Sequence, residues 1–347
     1  MKNTANFIII TVAIMAVLVI GKSILIPFIF ALIFWFFTRE IRKTIYKIPF
    51  AEKFIPKWLS NVLVFTLFVL GFGFVSEIIS NSIIGLSESY SNYEPNIESI
   101  IKKISSYFLG DVVMSVRSVI GGFDYGSVLG NIAKGISGLL GDTFMIVIYA
   151  LFIFLEESSL LKKSRKIFNT EKAYSNIKSI LTKIELSISN YLRLKTYVSI
   201  LTGILSYLVL FMVGVDSAPF WAFLIFLLNY IPTIGSLIAT VFPAFFSLIQ
   251  FGELAPFLIV VGAVQVVVGN VIEPKLFGKS LNVSPLITIL SLALWGEIWG
   301  VAGMILSVPI TVIMIIVFSQ FEKTKPIAIL LSENGEIGEV EEGEKRV

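Results

Sequence analysis

Long apolar runs with almost no charge in them constrain this chain more than any other feature. A helix needs about 20 such residues to cross the hydrocarbon core of a bilayer, and Leu59–Val75, Tyr197–Val215 and Val301–Phe318 each approach that length. Over the 347 residues, 56% are hydrophobic and 15% charged, where a soluble domain carries about a quarter charged. The expected class is therefore an all-α, polytopic integral membrane protein. A net charge of +3 is too small to attract nucleic acid, and the absence of Cys and His removes disulfides, thiolate or imidazole metal sites and imidazole proton relays. No nucleophile and base pair and no metal-ligand cluster stands out, so neither an enzyme nor a cofactor is expected.

Residues 1–79 read as an N-terminal transmembrane hairpin, Phe7–Ile20 with Ile24–Phe37, followed by the third span Leu59–Val75. The loop between them carries Arg39, Arg42, Lys43, Lys47, Lys53 and Lys57, which the positive-inside rule assigns to the cytoplasm. Residues 80–142 mix Ser, Asn and Gly with apolar residues at helical spacing (Ile97, Ile100, Ile101, Ile104) and read as an extracytoplasmic amphipathic helical insert. A span at 143–155 leads to a cytoplasmic amphipathic segment, 156–196, which either lies on the membrane surface or serves as a connector. A core at 197–320 follows, and then a tail at 321–347, acidic from Ser332 on. This topology leaves both termini in the cytoplasm of a bacterial inner-membrane protein.

Within the core several apolar runs are too short to cross, and the pairs flanking Pro232 and Gly296 have the length of broken or re-entrant helical hairpins. Around the first break stand Asn229, Pro232, Thr233, Gly235 and Ser236; such a break frees main-chain groups that must meet a partner, water or a solute, unless it is an ordinary polar turn at the membrane edge. A second constellation is Gln265, Asn270, Glu273 and Pro274 beside Lys275, then Ser284 and Pro285. Glu273 is either a coupling charge or a headgroup anchor with Lys275. The third is Gly296, Glu297, Gly300, Gly303 and Pro309, with Trp295 and Trp299 placing Glu297 at a hairpin tip or facing a cavity. Gly21-Lys22-Ser23 and Gly278-Lys279-Ser280 mimic the end of a phosphate loop, but Ala16 and Glu273 replace its first Gly, which disfavours an ATP-driven pump.

In order along the chain, Tyr191-Leu192-Arg193, Asn229 to Ser236, Asn270 to Lys275 and Trp295 to Pro309 resemble the autoinducer-2 exporter family. The resemblance implies a secondary transporter, its described members including exporters of the quorum-sensing signal autoinducer-2 and sodium/proton antiporters. It also implies a homo-oligomer, a pentamer among the forms, with an elevator-like core. Three positions depart from the family pattern: Val268 stands where members often carry an acid, Ser284 where many carry a His, and Ser236 where a second Pro is usual. The expectation is a small polar solute handled by Asn229, Thr233, Ser236, Gln265 and Asn270 in a transport core at 197–320, with the two hairpins meeting near the midplane. Pro232, Gly235, Pro274, Pro285, Gly296, Gly300, Gly303 and Pro309 would shape the breaks, and Glu273 or Glu297 would couple to a sodium ion or proton. A sodium/proton antiporter and a non-transporting scaffold or channel are the alternatives.

Overall fold

The structure is a computed structural model; it describes residues 2–46, 57–107, 143–157, 170–232, 234–252, 264–273 and 282–335, with a few single residues besides. Residues 108–142 of the expected insert, Thr233 and Pro274 lie outside the described residues, as does the side chain of Asn270. Among the described residues every regular element is helical: α1 Lys2–Ile20, α2 Lys22–Ile45, α3 Lys57–Tyr107, α4 143–157, α5 Glu171–Val213, α6 Ala218–Leu228, α7 Ile234–Phe251, α8 Pro285–Phe318 and α9 Lys325–Leu331, with a π turn at Val268–Ile272. Among the described residues five helices are long and apolar enough to cross a membrane, within Lys22–Arg42, Val62–Leu86, Tyr174–Val213, Ile234–Phe251 and Pro285–Phe318. Large apolar side chains such as Leu70, Phe74, Leu155, Phe211 and Met212 point outward. So many exposed on one protein fit lipid as the solvent, and the protein is a polytopic helical membrane protein.

Two helices run further than their apolar stretches. Helix α3 continues past Val75 through the polar residues to Tyr107 and takes Pro95 in its interior, and α5 joins the amphipathic segment to the run at Tyr197 without a break. Backbone bonding inside a helix needs no particular solvent, so polarity changes along the rod while the secondary structure does not. At the other extreme, α6 has 11 residues, about 16 Å of rise, too short to cross a hydrocarbon core of about 30 Å.

The chain divides into two compact units. The first holds Met1–Phe65, Asp142–Lys195 and Phe277–Val347, the second Thr66–Gly141 and Thr196–Leu276. The two breaks of the expected 197–320 core therefore fall in different units, each with its own packing.

In the first unit α8 folds back on itself. Gly300 has φ 61° and ψ −141°, a conformation essentially reserved for glycine, and it separates the arms Pro285–Trp299 and Val301–Phe318. The reversal thus sits at Gly300 and not at Gly296, which stays helical and faces Met304 across the hairpin. Deeper between the arms, buried Thr311 donates to the Ser307 carbonyl (2.7 Å) and its hydroxyl oxygen meets that of Ser291 at 2.8 Å. The tip residues Trp295, Ile298, Trp299 and Leu306 pack on Leu18, Leu25 and Ile29, and the Trp299 indole N–H donates to the Leu18 carbonyl at 3.0 Å. Helices α1 and α2 meet at Gly21, whose N–H bonds Val17 and whose carbonyl accepts from Ile24 and Leu25, so helical bonding runs into and out of the junction. Most described side chains of α1 are exposed, Ile10 at 58% and Val17 at 62%; α1 does not pack along α2 as a tight hairpin would.

Charged residues of α2, α4 and α5 pair with one another, Arg39, Arg42, Glu157 and Glu185 in one half-buried network and Arg193 with Glu40 beside the solvent. Arg39 pairs with Glu185 at 2.8 Å and stacks 4.8 Å from the Trp35 ring centre, Arg42 pairs with Glu157 at 3.0 Å, and Arg193 pairs with Glu40 at 3.3 Å. Exposed single pairs contribute about 0–1 kcal/mol, but here Arg39 also lies 3.8 Å from Glu157, which links two of the pairs. Arg39→Glu is expected to lower the melting temperature in detergent, and adding Glu185→Arg to restore part of the loss; no rescue in the double variant would mean that the pair contributes nothing of its own.

Candidate functional site

The break in the second unit is a tight hairpin between α6 and α7. The N–H groups of Asn229, Tyr230 and Ile231 bond back to Ile225, Leu227 and Leu228, those of Ile234 and Gly235 to Pro232 and Ile231, and Pro232 has no N–H to pair. These five main-chain N–H groups thus find their acceptors within the turn itself. A Cβ on Gly235 would stand 1.9 Å from the Leu228 carbonyl oxygen, so the two strands of the turn touch through their backbones.

What the turn offers is side chains. Asn229 is 3% exposed and its Nδ2 donates to the Ser199 hydroxyl at 3.1 Å, while the Tyr230 hydroxyl and that of Thr196 share a hydrogen bond of 2.8 Å. Ser236 is half-buried in the first turn of α7, its carbonyl accepting from Thr240 at 2.8 Å. Helix α5 lies close against α6, since a Cβ on Gly203 would come within 3.1 Å of Phe226 Cβ and 3.4 Å of the Ala222 carbonyl. The site thus gains a partner helix. Thr196, Ser199, Thr202 and Ser206 recur at intervals of three and four inside an otherwise apolar run, which is the spacing of one helix face, and Ser199, Thr202 and Ser206 are completely buried.

Gln265 occupies the helical residues before the π turn Val268–Ile272. It is 9% exposed, and its Nε2 is enclosed without an acceptor among the described residues. An unpaired buried donor costs about 1–3 kcal/mol, and π turns recur at functional sites. Asn270 lies within that turn, and Glu273 closes it, donating its N–H to the Val268 carbonyl. Glu273 itself is half-buried.

Pro285, Gly296, Glu297, Gly300, Gly303 and Pro309 belong to the α8 hairpin of the other unit. Pro285 opens the first arm, where a missing N–H costs nothing. Gly303 is a contact point, because a Cβ there would fall 1.8 Å from the Trp295 carbonyl oxygen. Glu297 is exposed on the first arm, three residues before the reversal, and Pro309 is buried inside the second arm without breaking it.

The buried polar side chains described in the second unit are Ser82, Ser199, Thr202, Ser206, Asn229, Ser247 and Gln265, hydroxyls and amides without a formal charge. Among the described residues no group of three acidic, His or Cys side chains is placed to hold a metal ion. Side chains of this kind suit hydrogen bonds with an uncharged polar molecule.

Known proteins resemble the chain over most of its length. The AI-2E family transporter profile matches residues 8–323. A Haemophilus influenzae protein with the provisional name of transport protein is 28% identical over 348 residues, covering 96% of this chain and 99% of that one. The AI-2 transport protein TqsA of Escherichia coli is 35% identical over 209 residues, 60% of each chain. A sodium-lithium/proton antiporter of Halobacillus andaensis is 26% identical over 176 residues, 49% of each. With its profile spanning nearly the whole sequence, the chain belongs to the AI-2E family of transporters.

Proposed function

We propose that this transporter exports a small, uncharged, oxygen-rich solute across the bacterial cytoplasmic membrane, with autoinducer-2 the first candidate. The solute-facing groups in this reading are Asn229, Thr233, Ser236, Gln265 and Asn270. The observation that carries this reading is Gln265, whose enclosed Nε2 meets no acceptor among the described residues. A solute oxygen would supply one, and the buried polar side chains described in the same unit are all uncharged, which favours a cargo without fixed charge. The 35% identity to the autoinducer-2 transport protein supports the choice of candidate. Expression in a bacterium lacking its own exporters is expected to lower intracellular autoinducer-2 and raise it in the medium; an unchanged distribution would remove autoinducer-2 as the cargo.

A second reading, sodium/proton antiport, is favoured by the similarity to the sodium-lithium/proton antiporter and by half-buried Glu273 at the end of the π turn. It separates cleanly in proteoliposomes loaded with a pH-sensitive dye. Exchange would give a sodium-dependent fluorescence change that disappears in Glu273→Gln, whereas export of a neutral solute gives none.

A further inference from the structure

At the open end of the α6–α7 hairpin, away from its turn, a second polar cluster ties three separate stretches of the second unit together. Gln250, next to the last residue of α7, uses its whole amide: Oε1 accepts the Asp216 N–H at 2.9 Å, and Nε2 donates to the Gly214 carbonyl at 2.9 Å. That closes the loop between α5 and α6 onto the end of α7. The loop needs such fixing, because Gly214 (φ 79°) and Ser217 (φ 56°) are both left-handed. Helix α3 supplies the third side. Tyr93 donates its hydroxyl to the Asp216 carboxylate, Asn96 Nδ2 donates to the Gln250 carbonyl at 2.7 Å, and the Tyr93 ring stacks edge-on against Phe246 at 5.6 Å. The Gln250 carbonyl is one of the acceptors that a helix end leaves unpaired, and Asn96 satisfies it from 154 residues away.

We infer that Tyr93, Asn96, Asp216 and Gln250 form a clasp that keeps α3 and the open end of the hairpin together as one body, so that any movement of the hairpin turn during transport carries α3 with it. The clasp itself stands on geometry alone; its persistence through the transport cycle rests on the transporter reading above. Networks in which every member is paired are stiffer than their separate bonds, and this one joins its partners at a helix end, a strained loop and a helix flank. Asp216 serves here as an acceptor for Tyr93, not as a transport carboxylate.

A disulfide tests the clasp directly. A Cβ built on Gly252 stands 3.9 Å from Asn96 Cβ, close to the mean of about 3.8 Å found in disulfides, and the chain has no cysteine of its own. The full-length variant carrying Asn96→Cys and Gly252→Cys is oxidised in native membranes, and the crosslinked fraction is read by mass after proteolysis. Near-complete crosslinking is expected, with autoinducer-2 efflux from cells at the same rate before and after reduction. A crosslink that plateaus below about half overturns the clasp, as does a protein that transports when reduced and stops when oxidised. Should neither form move autoinducer-2, the cargo assignment fails, while the crosslinked fraction still decides the clasp. Gly252 has φ 68°, which strains a cysteine there, so Gln250→Ala provides a second measurement. It is expected to lower the melting temperature by several degrees, and an unchanged melting temperature overturns the clasp.

Discussion

Gly303→Ala is expected to lower the stability of the folded protein by about 3 kcal/mol, at the upper end of what overpacking a close contact costs. The new methyl group would stand 1.8 Å from the Trp295 carbonyl oxygen, and backbone on the opposite arm cannot rotate away as a flexible side chain could. To admit it, the arms of α8 must separate near the tip, which loosens the packing of Trp295, Trp299 and Leu306 on α1 and α2. Gly235→Ala is expected to behave alike in the other hairpin, where the Leu228 carbonyl oxygen is 1.9 Å from the added carbon. Thermal melting in detergent should show drops of roughly 5–10 °C for each. Gly71→Ala and Gly85→Ala in α3 make the contrast, since nothing lies within 4 Å of either added Cβ. They should leave stability unchanged or raise it by up to about 1 kcal/mol through better helix propensity. Equal effects in all four variants would mean that the close approaches do not hold the hairpins.

Gln265→Met is expected to move stability and transport in opposite directions. Methionine nearly matches glutamine in shape and carries no donor, so the enclosed Nε2 and its desolvation cost disappear together. Removing that cost should stabilise the protein by about 1 kcal/mol, seen as a higher melting temperature. If the same amide holds an oxygen of the solute, autoinducer-2 efflux should fall about tenfold, because a hydrogen bond to a buried group of this kind is worth about 1.5 kcal/mol. Higher stability with unchanged efflux would make Gln265 a structural residue; lower stability would mean that its amide has a partner in the folded protein.

The apolar runs and their interruptions were legible in the sequence because both follow from local chemistry. Asn229-Tyr230-Ile231-Pro232 contains an amide, a proline without an N–H and, soon after, a glycine, and the turn lies there. The second break was harder to place. Gly296 and Gly300 each follow a tryptophan, and only the dihedral angles reveal that Gly300 reverses the chain while Gly296 makes room for Met304. Helices α3 and α5 run on through the changes of polarity at Val75 and Thr196, because the sequence pattern reports the surrounding solvent and the hydrogen-bond ladder does not depend on it.

Long-range partners were not legible. Nothing near Gln250 announces Asn96, and nothing near Asn229 announces Ser199, for these pairs are joined only by the tertiary packing of α3, α5 and α7. One signal was available and passed over: the hydroxyl residues Thr196, Ser199, Thr202 and Ser206, repeating at helical spacing in an apolar run, mark a helix face that needs polar company. The main-chain amides freed by a proline, by contrast, can be satisfied by a tight turn of their own. With the N–H groups of Asn229, Tyr230, Ile231, Ile234 and Gly235 paired inside the turn, its side chains become the groups best placed for recognition.

In the proposed transport reaction the α6–α7 turn presents those side chains to a water-borne cargo. Ser236→Cys tests it most directly, since a single cysteine in a chain that has none reports one position without background. A membrane-impermeant, water-soluble thiol reagent applied to both sides of sealed and opened vesicles is expected to label it, and autoinducer-2 to slow the labelling. Reaction with lipid-soluble maleimides alone, at a rate that added autoinducer-2 leaves untouched, would contradict the claim.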